Sequence, residues 1–155
     1  MTDGEIIELL NEVLTAELTA INQYFVHAKM QHNWGYLRLA EHTRDESIDE
    51  MKHAETITER ILYLEDTPNL QRLGSVRVGE TVPEQFRLDL DVEHAAIERL
   101  NRCVAVAVAK GDNGSRDLFE TLLVDEEEHA DWLETQLGVI DAVGEANYLA
   151  QQLYS

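Results

Sequence analysis

Four long amphipathic stretches, separated by turns that contain glycine or proline, constrain the fold of this chain most strongly. Apolar residues recur at spacings of three and four along residues of about 5–33, 36–64, 83–110 and 115–142, with a shorter helical pattern near 145–154. Each long stretch predicts a helix of roughly 40 Å, at a rise of about 1.5 Å per residue. Helices of matched length favour a four-helix bundle.

The connections between these stretches predict the topology. Residues 34–35 and 111–114 form short turns that require antiparallel hairpins, whereas residues 65–82 can run the full length of a bundle. We therefore predict an all-α fold in one domain, residues 1–155, with one long crossover and a short fifth C-terminal helix. Ser115 is the expected N-cap of the fourth helix, and Val76 and Val78 are expected in an extended piece of the crossover.

Composition excludes several classes of function. Twelve Lys and Arg against 31 Asp and Glu leave a formal net charge of −19, which repels a phosphate backbone and argues against nucleic-acid binding. The single cysteine, Cys103, excludes an intramolecular disulfide or a cysteine-cluster metal site and fits a reducing compartment. We find no pattern of a signal peptide or a membrane-spanning helix and expect a soluble, cytoplasmic protein without a membrane partner.

Ionisable residues interrupt the apolar stripe of each long helix at a matched place. On the second helix the stripe also includes Glu46, and on the fourth it includes a Glu-x-x-His unit. The six side chains that we expect to face one another inside the bundle are Glu17, Glu50, His53, Glu93, Glu126 and His129. The neighbouring acidic residues Glu127, Glu128, Asp125 and Asp131 fit a solvated helix face.

The spacing of these residues repeats. Glu17 and Glu50 are 33 residues apart, and so are Glu93 and Glu126, with a turn near the midpoint of each pair. In antiparallel hairpins this places each pair at one height, and a histidine three residues after a glutamate lies on the same helix face. Chance explains an isolated Glu-x-x-His unit in so acidic a chain, but it does not explain two units in the same register.

Four buried carboxylates cost more free energy than a domain's net stability of about 5–15 kcal/mol unless they are neutralised. Two divalent cations supply the compensating charge. Oxygen-rich sites with one imidazole each suit iron or manganese, with zinc as a competitor.

Four segments carry a resemblance to a known family. The chain resembles bacterioferritins over essentially its whole length, in the segments AINQYF (20–25), ESIDEMKHA (46–54), PNLQ (68–71) and DWLET (131–135). The resemblance implies a ferritin-like di-iron domain over residues 1–155 in a shell of 24 identical subunits. It implies iron storage and detoxification by a ferroxidase that oxidises Fe(II) with O₂ or H₂O₂.

The resemblance also implies roles for particular residues. The six inward side chains become the iron ligands, with Glu50 and Glu126 as the bridging pair. It implies haem b between two subunits, ligated by Met51 from each, and a ferredoxin-type protein as a candidate electron donor. Asp45 and Arg44 depart from residues that are common in the family, which puts the accessory iron routes in doubt.

Three other functions compete with iron storage. A di-iron oxygenase needs an apolar pocket beside the metals, where Tyr24, Leu100 and Leu122 are expected to fill the space. A DNA-protecting mini-ferritin fits poorly with the net charge and the tail helix, and a purely structural bundle would tolerate leucine in place of the inward glutamates.

A few further residues carry open expectations. For Tyr24, a hydrogen bond to a ligand carboxylate and plain core packing are equally favoured. We expect Cys103 to be a small buried residue, and we expect the remaining histidines on the surface or beside the ligands: His27, His32, His42 and His94.

Overall fold

The fold was analysed in a computed structural model, which describes residues 4–154. Five helices follow one another along the chain: α1 Gly4–Asn33, α2 Leu37–Tyr63, α3 Val82–Lys110, α4 Asn113–Val143 and α5 Glu145–Ala150. Helices α1 and α2 pack as one hairpin and α3 and α4 as another, while α1–α3 and α2–α4 contacts close the bundle. The predicted all-α bundle with a long crossover and a short fifth helix is confirmed.

Local sequence signals set the ends of these helices. Thr81 caps α3 by accepting the backbone N–H of Glu84, and Gly111 ends α3 in the left-handed region at φ 69°. The prediction that Ser115 is the N-cap of the fourth helix is wrong, because α4 already begins at Asn113. Its N-cap is Asp112, whose carboxylate accepts the backbone N–H of Ser115.

Two apolar clusters fill the bundle on either side of a polar layer. The larger cluster includes Leu10, Leu14 and Phe119, and the smaller one includes Phe86 and Leu133. Along α1 and α4, the inward ionisable residues follow the larger cluster directly. The apolar packing therefore anchors the helices on both sides of that layer.

Side chains of α1 hold the crossover, residues 64–81, in place. No strand is found in the crossover or elsewhere in residues 4–154. Val76 and Val78, which were expected in an extended piece of the crossover, lie in this segment, where the chain is neither helix nor strand. Five polar side chains, four residues apart on α1, each accept a hydrogen bond from the crossover: Asn11, Thr15, Thr19, Gln23 and His27. Four of the five donors are backbone N–H groups, so α1 supplies the partners that a neighbouring strand would otherwise provide.

Gly79 lies where the crossover meets α3, and its lack of a side chain is required by space. A Cβ atom there would lie 2.6 Å from the backbone nitrogen of Gln85. We expect Gly79→Ala to destabilise the protein by about 1–3 kcal/mol, measured by chemical denaturation. The control is Gly138→Ala in α4, where a Cβ atom meets open space and a small stabilisation is expected; equal effects of the two substitutions would contradict this account.

Candidate metal centre

All six inward residues of the sequence analysis are buried in the layer between the two apolar clusters. Their exposure ranges from 0% for Glu93 to 7% for His129. Each helix of the bundle contributes one glutamate, and α2 and α4 each add a histidine one turn later. The matched 33-residue spacings thus correspond to residues that meet at one level of the bundle.

The six side chains form two overlapping groups, in each of which the ligand atoms lie within 4.8 Å of one another. The first group is Glu17, Glu50, His53 and Glu126, and the second is Glu50, Glu93, Glu126 and His129. Each group could hold one metal ion through three carboxylates and one imidazole. Because Glu50 and Glu126 belong to both groups, two ions held there would share these carboxylates.

Both imidazoles present Nδ1 to the middle of the cluster. His53 Nδ1 lies 3.1 Å from Glu126 Oε1 and 3.5 Å from Glu17 Oε2. His129 Nδ1 lies 3.1 Å from Glu50 Oε1 and 3.7 Å from Glu93 Oε1. The Nε2 atoms point the other way, so Nδ1 is the atom available to a metal.

Several buried atoms at the middle of the cluster have no hydrogen-bond partner. These atoms are Glu17 Oε2, Glu50 Oε1, Glu93 Oε2, Glu126 Oε1, His53 Nδ1 and His129 Nδ1. An unsatisfied buried polar group costs about 1–3 kcal/mol, and more if it is charged. A pair of cations would satisfy all six atoms at once, which is the chemical fit that the arrangement offers.

Without metal, protons carry part of the compensating charge. Burial and the neighbouring carboxylates raise the pKa of Glu50 and of Glu93 well above the usual range. Burial alone would lower the pKa of each imidazole, but the close carboxylates outweigh it. Glu126 and Glu17 raise the pKa of His53 to about 11, and Glu46 and Glu93 raise that of His129 to about 12.

Of the two roles expected for Tyr24, the structure shows the hydrogen bond to a candidate ligand carboxylate. Its hydroxyl donates to Glu93 Oε1 at 2.6 Å from a position that is 2% exposed. Burial and the Glu93 charge raise the pKa of Tyr24, so the phenol stays a donor. This contact fixes one oxygen of Glu93 and leaves the other, Oε2, buried without a hydrogen-bond partner.

Two acidic neighbours contact the outer nitrogens of the candidate ligand histidines. Asp125, expected on a solvated face, is 45% exposed in its side chain, and its carboxylate lies 2.9 Å from His53 Nε2. Glu46 had no predicted role, yet Glu46 Oε2 lies 2.7 Å from His129 Nε2. Burial would raise the pKa of Glu46, but the adjacent His129 and His42 lower it to about 2. The sequence signal for this role is that Glu46 lies one turn before Glu50, on the same inward stripe of α2.

The remaining histidines divide into three kinds. His32 and His94 are exposed, as expected. His42 lies beside the cluster and contacts Glu46. His27 is fully buried, which excludes the surface alternative of its two expected positions. Its Nδ1 donates to Asp89 at 2.9 Å, and Nε2 accepts the backbone N–H of Gly79 at 3.0 Å. Cys103 is a buried free thiol, as expected.

A separate groove lies between α1 and α2, on the side away from the metal cluster. It encloses about 490 Å³, and Met51 and Phe25 line it with exposures of 49% and 54%. Lys29 and Arg44 supply positive charge to the same groove. Met51 follows Glu50 directly, but the helix turns its sulfur outward, away from the six inward side chains.

Comparisons with known proteins agree with one another. The sequence model of the Ferritin family, described as a ferritin-like domain, matches residues 7–143 of this chain. Bacterioferritin of Mycolicibacterium paratuberculosis is 54% identical over 149 residues, which cover 96% of this chain and 94% of the relative. Bacterioferritin of Streptomyces coelicolor is 57% identical over 148 residues, with 96% and 89% covered.

Solved structures show the same likeness. A mycobacterial bacterioferritin superposes with a TM-score of 0.97 at 55% identity, covering 98% of this chain and 94% of that one. BfrA from M. tuberculosis gives a TM-score of 0.96 at 54% identity, covering 97% and 94%. Within residues 4–154, no helix combines the length and apolar character that crossing a membrane requires.

Proposed function

Since this chain belongs to the bacterioferritin family and is an iron-storage protein, we propose that its buried cluster is a ferroxidase centre. In this proposal the ligands of two Fe(II) ions are Glu17, Glu50, His53, Glu93, Glu126 and His129. The observation that carries the proposal is the overlap of two four-residue groups through Glu50 and Glu126. Iron is the substrate of the reaction and, after oxidation, the stored cargo.

The donor set accounts for the choice of metal and for the reaction. Three carboxylates and one imidazole around each ion make a hard, oxygen-rich environment that suits iron. Two Fe(II) ions together supply the two electrons that reduce one molecule of O₂ or H₂O₂. The protein holds the two ions side by side, and the ligand carboxylates balance the positive charge that increases as iron is oxidised.

The surroundings favour ferroxidation over oxygenation of an organic substrate. Tyr24, Leu100 and Leu122 are each at most 2% exposed and fill the interior. A cavity of only about 10 Å³ is found beside Tyr24, too small for an organic molecule. The larger opening, about 200 Å³ between α2 and α4, is lined by charged and imidazole side chains such as Asp49 and Lys52.

We further propose that 24 copies of the chain assemble into a shell, as the family resemblance implies, and that the protein works in the cytoplasm. The buried free thiol of Cys103 suits a reducing compartment. The net charge of −19 per chain attracts iron cations. A ferredoxin-type protein is our expectation for the donor that reduces stored iron.

Iron loading in air tests storage against simple oxidation. Metal-free protein receives Fe(II) far above two ions per chain, and the assembly is then separated by size and analysed for iron. We expect the iron to remain soluble and to elute with the protein. Precipitation of all iron beyond two ions per chain would contradict storage while leaving the oxidation centre intact.

We propose haem b as a second cofactor, held by Met51 in the groove between α1 and α2. The exposed thioether and apolar lining fit a haem, and the nearby Lys29 and Arg44 could pair with its propionates. When bound, haem supplies one-electron transfer between the outside and the stored iron. A second copy of the chain would contribute its own methionine and cover the other face.

Haem retention should depend on the exposed thioether of Met51. We expect Met51→Leu to lose haem while rapid iron oxidation continues, because residue 51 points away from the metal cluster. The measurement is the haem absorbance of reconstituted protein beside its oxidation rate. Full haem retention in Met51→Leu would contradict the assignment.

Metal binding should release protons. In the metal-free protein the pKa of His53 is raised to about 11 and that of His129 to about 12, and the pKa values of Glu50 and Glu93 are raised well above the usual carboxyl range, so these groups hold protons at neutral pH. Because a metal must displace these protons, affinity for Zn(II) should rise as the pH rises from 6 to 8. Calorimetry in buffers of different ionisation enthalpy counts the protons, and binding that is independent of both pH and buffer would contradict this expectation.

A further inference from the structure

The two candidate ligand histidines have unequal outer partners. His53 Nε2 contacts Asp125, whose side chain is 45% exposed. His129 Nε2 contacts Glu46, whose side chain is only 10% exposed, at the shorter distance of 2.7 Å. A second carboxylate, that of Asp49, lies farther from His129 Nε2, at 3.5 Å, and is 48% exposed. Glu46 is therefore the closest and best-buried partner of His129 on its outer side.

Glu46 is itself fixed in place. Its other oxygen, Oε1, lies 3.0 Å from His42 Nε2, one turn earlier on α2. The His42 ring stacks on Trp132 with a centroid separation of 3.7 Å and an interplanar angle of 18°. Trp132 follows His129 by one turn of α4, so the contacts close a loop between α2 and α4.

An imidazole that binds metal through Nδ1 needs a partner for the proton on Nε2. A carboxylate partner fixes the tautomer and the ring plane and makes the imidazole a stronger ligand, and its loss typically costs about 10- to 100-fold in metal affinity. Glu46 is placed to do this for His129. A buried carboxylate that also contacts His42 restricts the ring more than a half-exposed one does.

We propose that Glu46 is the positioning residue for His129, and that His42, stacked on Trp132, holds Glu46 in the orientation this requires. Glu46 acts only on the half of the centre that contains His129. The inference rests on the proposed function, in which His129 is a metal ligand. It adds a residue that the ligand set itself does not include.

Co(II) binding in two variant backgrounds tests the proposal. The full-length protein is freed of metal and titrated with Co(II) under anaerobic conditions, by absorbance and calorimetry. His53→Ala leaves the half-site with His129, and His129→Ala leaves the half-site with His53. We expect Glu46→Ala to weaken Co(II) binding about 10- to 100-fold in the His53→Ala background and to have no effect in the His129→Ala background.

Further variants separate positioning from general damage. Glu46→Gln keeps an acceptor oxygen at nearly the same volume, so it should recover part of the affinity. His42→Phe keeps a ring against Trp132 but removes the 3.0 Å contact between His42 Nε2 and Glu46 Oε1, so it should cause a smaller loss through the same half-site. Glu55→Ala, an exposed position of α2, makes the same change of charge and should alter neither half-site.

The outcomes distinguish this inference from the proposed function. Equal losses in both backgrounds, or no loss in either, would overturn the positioning role of Glu46. Failure of the unaltered protein to bind two Co(II) per chain would instead count against the metal centre itself. Melting temperatures of the metal-free variants show whether a loss of affinity reflects unfolding.

Discussion

The His129→Ala variant is expected to bind one Fe(II) per chain in place of two and to lose the fast phase of iron oxidation. His129 supplies the single nitrogen of one four-residue group, whose other members are the carboxylates of Glu50, Glu93 and Glu126. Without it, that group keeps only carboxylates, two of which are shared with the other ion. Losing a residue that merely orients a ligand costs about 10- to 100-fold, so losing the ligand should slow the fast phase by at least about 100-fold.

The matched control is His94→Ala. His94 also lies on the second hairpin, but its side chain is 56% exposed and contacts only Glu134 among the ion pairs of the described residues. Stopped-flow absorbance after mixing Fe(II)-loaded protein with oxygen measures both variants. An unchanged fast phase in His129→Ala would remove His129 from the centre.

The Glu93→Gln variant is expected to narrow the difference between the melting temperatures of metal-free and metal-loaded protein. Glu93 is fully buried, and burial together with Glu126 raises the pKa of its carboxyl. In the metal-free protein the neutral amide should therefore leave the melting temperature unchanged or raise it. In the loaded protein it removes one charged ligand, so the stabilisation by metal should fall.

Tyr24 makes this substitution a selective test. Its hydroxyl donates to Glu93 Oε1, and the amide oxygen of glutamine can accept the same hydrogen bond. Calorimetric scans with and without Zn(II), which avoids oxidation during heating, give both temperatures. A drop in the metal-free melting temperature with unchanged metal affinity would show that Glu93 serves the fold and not the metal.

Periodicity and spacing predict most of the fold and the position of the cluster. The helical period locates α1 to α4 to within a few residues, because apolar faces at that period must pack together. The equal separations of Glu17 from Glu50 and of Glu93 from Glu126 predict that buried carboxylates meet at one level. The structure places these residues together, and their role as ligands stays a prediction that the variants above test.

Helical periodicity does not encode several contacts around the cluster and the crossover. Asp125 is half-exposed and also contacts His53 Nε2, and an apolar pattern does not define that contact. Asp112 and Ser115 are both good N-cap residues, and only the turn geometry selects Asp112. His27 is buried because the crossover folds back onto α1, and that path has no regular pattern.

Anaerobic titration of the metal-free protein with Fe(II), followed by oxygen, tests the central claim most directly. The two overlapping groups predict an end point of two Fe(II) per chain. Oxygen should then oxidise both ions in a single fast phase. An end point of one Fe(II) per chain, or two ions that oxidise independently at the rate of free iron, would contradict a shared centre held by Glu50 and Glu126.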